Sequence, residues 1–502
     1  MISSAALARS CHVRTYCLHG ARAVAVDLEL QYTGGLMQRV ILTGLPGGAV
    51  RESRDRIRAC LERCGLPVPR RSILAHFAPA DLHKEGGGLD LPLLVGILAL
   101  EGSLPAEALA GRAILGELGL DGRLRPVRGA LLAAMAARRA GLARLLLPRD
   151  NGAEAALVEG LLVEAPATVD EALEVLRGGR APPPPAPADP PRSERLDLAD
   201  VRGQAAARRA LEIAAAGRHN LLLSGPPGTG KTMLAQRLPG LLPPLSDEQC
   251  LDATALHGLA AAGPATVIRH PPFRAPHHTV SRAGLIGGGA PVVPGEASLA
   301  HAGVLFLDEM PEFRRELLEA LRQPIEERLI RLARVGTTVA FPADFQLVGA
   351  MNPCACGYLG HPKRGCKCTA HELQLYRRRI SGPLLDRFDL FVEVPVPAAE
   401  ELIGGPPGEA TAAVAPRVAS AAARLGERRG VRRAASAPAD PRARERLRRA
   451  ASSFGLSGRG VARVVSVAMT IAALAGRDAI GAPDVDEALS YRLGLMAFSV
   501  GT

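Results

Sequence analysis

The stretch GPPGTGKT, Gly225 to Thr232, is the strongest chemical signal in this chain. It fits the pattern G-x-x-x-x-G-K-[ST] at every position. Gly225, Pro226, Pro227, Gly228, Thr229 and Gly230 form the loop. Backbone N–H groups of such a loop, with those of the helix it opens, surround phosphates. Glycines are needed where the backbone approaches the anion closely. Lys231 would reach the β and γ phosphates of a nucleoside triphosphate, and the Thr232 hydroxyl would bind Mg2+. The alternative, a chance flexible turn, fits poorly with the apolar run before it and the helical pattern after it. Between Lys84 and Lys363 the only lysine is Lys231, the position where a flexible point charge is wanted.

Farther along, GVLFLDEM (303–310) ends an apolar run in two carboxylates. Asp308 would hold Mg2+ and Glu309 would orient and polarise the attacking water. Phosphoryl transfer asks for positioning and charge neutralisation rather than covalent help. An acidic strand-to-helix loop is the plain alternative. FQLVGAMN (345–352) ends in Asn352, which would bond the water or the γ phosphate, although Asn commonly ends strands. GPLLDRFDL (382–390) sets Arg387 among apolar residues, suited to reaching a neighbouring subunit's γ phosphate or to an ordinary surface ion pair. GLSGRGVARVV (455–465) adds Arg459 and Arg463.

The cysteines carry a second chemistry. Of nine, Cys11, Cys17, Cys60, Cys64 and Cys250 are scattered. Cys354, Cys356, Cys366 and Cys368 cluster as two C-x-C pairs in CACGYLGHPKRGCKC (354–368). Such clustering favours a metal over disulfides in a cytosolic chain. Four thiolates surround Zn2+ tetrahedrally and leave no open position, so the metal would be structural. Free buried thiols and a redox pair are the alternatives, and His361 or His371 is a substitute for one cysteine.

These residues need elements to hold them. NLLLSG (220–225), VLFLDE (304–309), FQLVGA (345–350) and LFVEVPV (390–396) recur between helical stretches, which predicts a parallel α/β sheet with ligands at the strands' carboxyl ends. At 502 residues with 47% hydrophobic content the chain is long enough for several globular domains. Its longest apolar run, LPLLVGILAL (91–100), is too short for a membrane span. The N-terminus lacks an apolar signal core, which predicts a cytoplasmic protein without membrane contact. The formal charge of +11 permits nucleic-acid binding; ribosome or membrane-surface contact and a merely solvated surface are its rivals. RAPPPPAPADPP (180–191) is a semi-rigid spacer. Beyond GGPPGEATAAVAP (404–416) the chain reads as helical and arginine-rich.

Loop, acids, Asn and Arg in this order resemble the AAA+ ATPases, and most closely the magnesium-chelatase-like branch and its YifB/ComM family. The resemblance runs through most of the chain, in GLPGGAVRESRDRIR (44–58), FAPADLHKEG (77–86), GELGLDGRLRPVRG (116–129), DVRGQAAARRALEIAAAGRHNLLLSGPPGTGKT (200–232), FRAPHHT (273–279), GEASLAHAGVLFLDEMPEF (295–313), LEALRQPIEE (318–327), AMNPCACGY (350–358) and RRRISGPLLDRFDL (377–390). It implies an α/β AAA+ P-loop ATPase core over 196–397, carrying the cysteine knuckle. It also implies an N-terminal Lon-protease-like α+β domain over 1–178, a proline-rich linker over 179–195 and a C-terminal helical lid over 398–502. Lys231 and Thr232 would be Walker A, Asp308 and Glu309 Walker B, Asn352 sensor 1, Arg387 a finger acting in trans, and Arg459 a nucleotide-contacting sensor 2. The cofactors implied are ATP, Mg2+ and a structural Zn2+. Members of the family form hexameric rings, and ComM-like members are DNA helicases promoting branch migration. That predicts a homo-hexamer acting on single-stranded or branched DNA, with recombination proteins as partners. The chelatase name suggests the rival, a motor that remodels a protein partner during metal insertion.

Two further expectations follow. A Lon-type Ser–Lys dyad would align Ser with Gly88 and Lys near Leu131. Neither nucleophile nor base stands there, so no peptidase activity is expected, and Lys84 nearby is expected to be an ordinary exposed side chain. Between the acids and Asn352, LIRLARVG then TTVAF reads as a β-hairpin. Such hairpins point into the pore of related ring motors, so Arg331 and Arg334 are the first candidates for DNA phosphates. Arg274 and Arg282 in FRAPHHTVSRAGLIGGG (273–289) are the second, and pairing with Glu326 and Glu327 is the alternative for the hairpin arginines.

Overall fold

Five short parallel strands carry the predicted phosphate chemistry, and both faces of their sheet are covered. In the computed structural model, which describes residues 10–33, 39–69, 71–84, 86–186, 196–261, 266–334, 337–429 and 439–500, the strand order is Phe273–Arg274, Val304–Leu307, Gln346–Met351, Leu221–Ser224, Leu390–Glu393. Every neighbouring pair is parallel. Alternate residues enter different cores. Leu221, Leu223, Val304, Phe306, Val348 and Ala350 face one; Leu222, Leu305, Leu307, Leu347 and Met351 face the other. A sheet buried on both faces calls for continuous aliphatic runs, which is why VLFL and QLVGAM contain no charge.

Parallel strands put all their carboxyl ends on one side of the sheet. The strand leading to Asn352 sits between the strand feeding the glycine-rich loop and the strand ending at the two acids. That order sets Asn352 between Lys231 and Asp308. The helix Ala205–Gly217 and the C-terminal helices Thr411–Arg429, Gly458–Leu474 and Ala482–Val500 supply residues to the first core. Residues 192–249, 269–332 and 342–502 make up this compact unit.

The other unit comprises residues 1–191 with 250–268 and 333–341. Its seven-stranded mixed sheet runs Val40–Thr43, Ser72–Ala78, Arg22–Thr33, Ser10–His19, Arg112–Ile114, Arg144–Leu146, Leu162–Glu164. The long apolar run resolves as a core helix, Asp90–Leu100, in which every residue is buried. A helix apolar all round belongs inside a fold. Asp90 at its start accepts from Arg56 Nε at 2.7 Å and from the Leu118 N–H at 3.1 Å. Among the described residues no helix is long and apolar enough to cross a membrane. Gly88 lies in a short 3-10 turn and Leu131 is buried in the helix Ala130–Arg139. Lys84 corrects the expectation of an exposed side chain: it is wholly buried. Its Nζ donates to Phe77 O at 3.0 Å and to Pro79 O, and carbonyl acceptors at the end of a long apolar stem make such burial tolerable. Desolvation holds its pKa below the usual lysine range.

Candidate nucleotide-binding site

The loop after Leu221–Ser224 is shaped by glycine. A Cβ at Gly225 would lie 2.2 Å from Val394 O. Gly228 and Gly230 adopt φ of 77° and 89°, where side chains are strained. Gly230 precedes the helix Lys231–Leu241, whose N-terminus has no side-chain cap. Its first N–H groups therefore remain free to meet an anion. Lys231 is 9% exposed. Its Nζ donates to Gly225 O at 2.6 Å, to Pro226 O at 2.9 Å and to Asn352 Oδ1 at 3.3 Å. Desolvation pushes its pKa down, against the pull of Asp308 and Glu309. A buried ammonium resting on backbone carbonyls is poised to exchange them for phosphate oxygens.

The acids meet the loop at the strand tips. Thr232 Oγ1 donates to Asp308 Oδ2 at 2.7 Å. A hydroxyl beside a carboxylate supplies the hard oxygen donors that Mg2+ prefers, so the residues present fit that ion. Glu309 holds a left-handed conformation, φ 48°. A non-glycine residue there carries strain of about 1–3 kcal/mol, a cost met at functional sites. The turn leaves the Glu309 side chain exposed, with its N–H donating to Asp308 Oδ1 at 2.9 Å.

Arg387 belongs to a different group. It is 8% exposed. Its Nη2 donates to Glu326 Oε1 at 2.6 Å and its Nε to Arg322 O at 3.4 Å. Desolvation and the fields of Arg322, Arg463 and Arg459 lower its pKa, while Glu326 opposes them. Arg459 therefore stands within the field of Arg387. It is exposed at the start of Gly458–Leu474. Arg463 pairs with the half-buried Asp389. The predicted sites thus sort into two sets: Lys231, Thr232, Asp308, Glu309 and Asn352 come together, and Arg387 and Arg459 form a second cluster.

Cys354, Cys356, Cys366 and Cys368 converge, with all four Sγ atoms within 4.8 Å of one another. Backbone N–H groups of Tyr358 and Lys367 stabilise the Cys356 thiolate and bring its pKa to about 6. Neither His361 nor His371 belongs to this group. The candidate DNA contacts are dispersed. The expected hairpin is present, as Leu329–Arg334 and Thr337–Pro342. Arg331 pairs with Glu327, and the side chain of Arg334 lies outside the described residues. Arg274 donates twice to Glu296, at 2.6 and 2.7 Å, while Arg282 is exposed at the start of Arg282–Ile286.

Gln204 and Tyr376 escaped the reading of the sequence. Gln204 Nε2 donates to Pro395 O at 2.7 Å and to Thr229 O at 3.4 Å, joining the loop to the strand exit beside it. Tyr376 OH donates to Asn352 O at 3.0 Å. Both act on backbone carbonyls, and no spacing rule announces such contacts.

Comparison with known proteins places this geometry. The family model described as magnesium chelatase, subunit ChlI, matches residues 197–426. Models described as subunit ChlI of Mg-chelatase and as its C-terminal part match 28–151 and 408–492. Protein YifB of Escherichia coli is 41% identical over 96% of this chain and 96% of its own length. Competence protein ComM of Haemophilus influenzae is 40% identical over 94% of this chain and 95% of its own. A weaker likeness, 27% identity over 30% of this chain and 18% of the other, links it to a Lon protease of Clostridium beijerinckii. With matches of this extent beside a parallel sheet and its phosphate loop, the chain belongs to the magnesium chelatase family, as a homologue of YifB and ComM with an AAA+-type domain.

Proposed function

We propose that this chain is an ATP-hydrolysing motor that forms a homo-hexameric ring in the cytoplasm and works on single-stranded or branched DNA. Its role would be that of a ComM-like helicase, promoting branch migration during recombination or natural transformation alongside recombination proteins. The observation that carries the reading is the division of charge in one chain. Lys231, Thr232, Asp308, Glu309 and Asn352 share one set of strand tips, while Arg387 and Arg459 sit in a separate positive cluster. In a ring, that cluster would face the next subunit's triphosphate. The loop N–H groups and Lys231 bind the phosphates, Asn352 orients them and Glu309 accepts a proton from the attacking water. Mg2+ on Thr232 and Asp308 would neutralise phosphate charge. The four-cysteine knuckle would hold structural Zn2+.

DNA as substrate is supported by the name of the competence relative and by the formal charge of +11. Arg331 and Arg334 are the first proposed grip, with Arg274 and Arg282 the second. Contact with phosphates rather than bases makes affinity fall with salt and ignore sequence. Arg331→Ala with Arg334→Ala is expected to weaken binding of branched DNA on every sequence and to flatten its salt dependence. ATPase without DNA should persist. Wild-type affinity and salt slope in the double variant would remove the hairpin as the grip. The family description favours a second reading, a chelatase-type motor that remodels a protein partner for metal insertion. Its turnover would respond to that partner and not to DNA.

A further inference from the structure

The cysteine knuckle stands against the nucleotide site rather than apart from it. Sγ of Cys354 lies 3.4 Å from that of Cys356 and 3.7 Å from that of Cys366, and the Cys356–Cys366 separation is 3.6 Å. A disulfide needs about 2.05 Å. Thiolates around one Zn2+ at about 2.3 Å form a tetrahedron with edges of roughly 3.8 Å. Backbone N–H groups also point at the sulfurs: Leu359 to Cys354, Cys356 to Cys368 and Cys368 to Cys366, each at 3.4 Å. Residues 353–369 contain no helix or strand. A segment with so little core of its own is one that a bound metal would order.

Both ends of the knuckle lead to Asn352. The strand Gln346–Met351 passes through Asn352 and Pro353 into Cys354, which is wholly buried. At the other end Cys368 passes into Thr369, which caps the helix Ala370–Arg377 in a reciprocal box with Glu372. Tyr376 on that helix returns its hydroxyl to Asn352 O at 3.0 Å. The middle of the knuckle touches the phosphate loop. Gly357 has φ 82°, and a Cβ there would lie 3.0 Å from both Cγ and Cδ of Pro227.

We propose that the knuckle is a metal-locked brace for nucleotide binding, in which one Zn2+ on Cys354, Cys356, Cys366 and Cys368 fixes Asn352 and supports Pro227 of the phosphate loop. It rests on the reading of this loop as an ATP site and of the cysteines as a zinc site. Asn352, Pro227 and Tyr376 are thereby positioned as a unit. Tyr376 and Gly357 are positioning residues that act through Asn352 and Pro227.

The full-length protein purified without added metal tests this. Metal analysis should find about one zinc per chain. Stripping it with a mercurial thiol reagent and a chelator should weaken binding of a fluorescent ATP analogue about tenfold, the effect of losing roughly 1.4 kcal/mol, and zinc alone should restore it. Two variants keep all four thiols. Tyr376→Phe should retain zinc and melting temperature and lower kcat by about three- to tenfold through one lost hydrogen bond, with KM little changed. Gly357→Ala should retain zinc and raise KM. Zinc retained with wild-type kcat and KM in both variants would overturn the brace while leaving the zinc and ATP readings standing. Stripped protein that binds the analogue normally would likewise overturn the brace, and purified protein that carries no zinc, with all four thiols freely alkylated, would overturn the zinc reading. Failure of unmodified, zinc-loaded protein to bind the analogue would overturn the ATP reading instead.

Discussion

Glu309→Gln is expected to bind ATP at near wild-type affinity and to hydrolyse it about two to four orders of magnitude more slowly, the range for loss of a general base. The geometry separates the two effects. Binding depends on the loop N–H groups, Lys231 and the Thr232–Asp308 pair, joined at 2.7 Å. Glu309 takes no part in that pairing. Its side chain is exposed from a left-handed turn at φ 48°, so an amide of equal size breaks none of the hydrogen bonds of Lys231, Thr232 and Asp308. It removes only the carboxylate that polarises water. Single-turnover hydrolysis and equilibrium nucleotide binding, measured on the same preparation, distinguish the steps. Turnover near wild type would remove Glu309 from the reaction.

Arg387→Ala is expected to reduce turnover by about a thousandfold or more, the contribution of an arginine finger to phosphoryl transfer. The monomer adds a condition. Arg387 is bound to Glu326 at 2.6 Å and is 8% exposed, so reaching a neighbour's phosphate requires that bond to open. A triphosphate offers more negative charge than one half-exposed carboxylate, which makes the exchange favourable. Nucleotide binding within the variant's own loop should survive. Mixing Arg387→Ala with Lys231→Ala protein should restore hydrolysis, because some interfaces then pair an intact loop with an intact finger. No recovery in rings shown to be mixed would count against action in trans.

The phosphate site was largely legible because its signals are local. GPPGTGKT has a fixed spacing, and VLFLDE and FQLVGAMN each announce a buried strand ending in a polar group. Strand order was not legible, since placing Gln346–Met351 between Val304–Leu307 and Leu221–Ser224 is a matter of tertiary pairing. Nor were the partners of Arg274 and Arg387: Glu296 lies 22 residues from the first, and Glu326 lies 61 from the second. Lys84 misled because lysine is rarely fully buried, and only the fold reveals the Phe77 and Pro79 carbonyls that receive it. The cysteine spacing pointed to a metal, but the bearing of Gly357 on Pro227 required the folded loop.

A motor driven by ATP on DNA would reveal itself in the steady-state ATPase rate of the purified chain with and without branched or single-stranded DNA. Nothing else need be added. DNA alone should raise the rate severalfold, with the gain fading as salt screens the phosphate contacts. A rate indifferent to DNA over a range where the protein is folded, assembled and binding ATP would contradict it and favour a motor that acts on a protein partner.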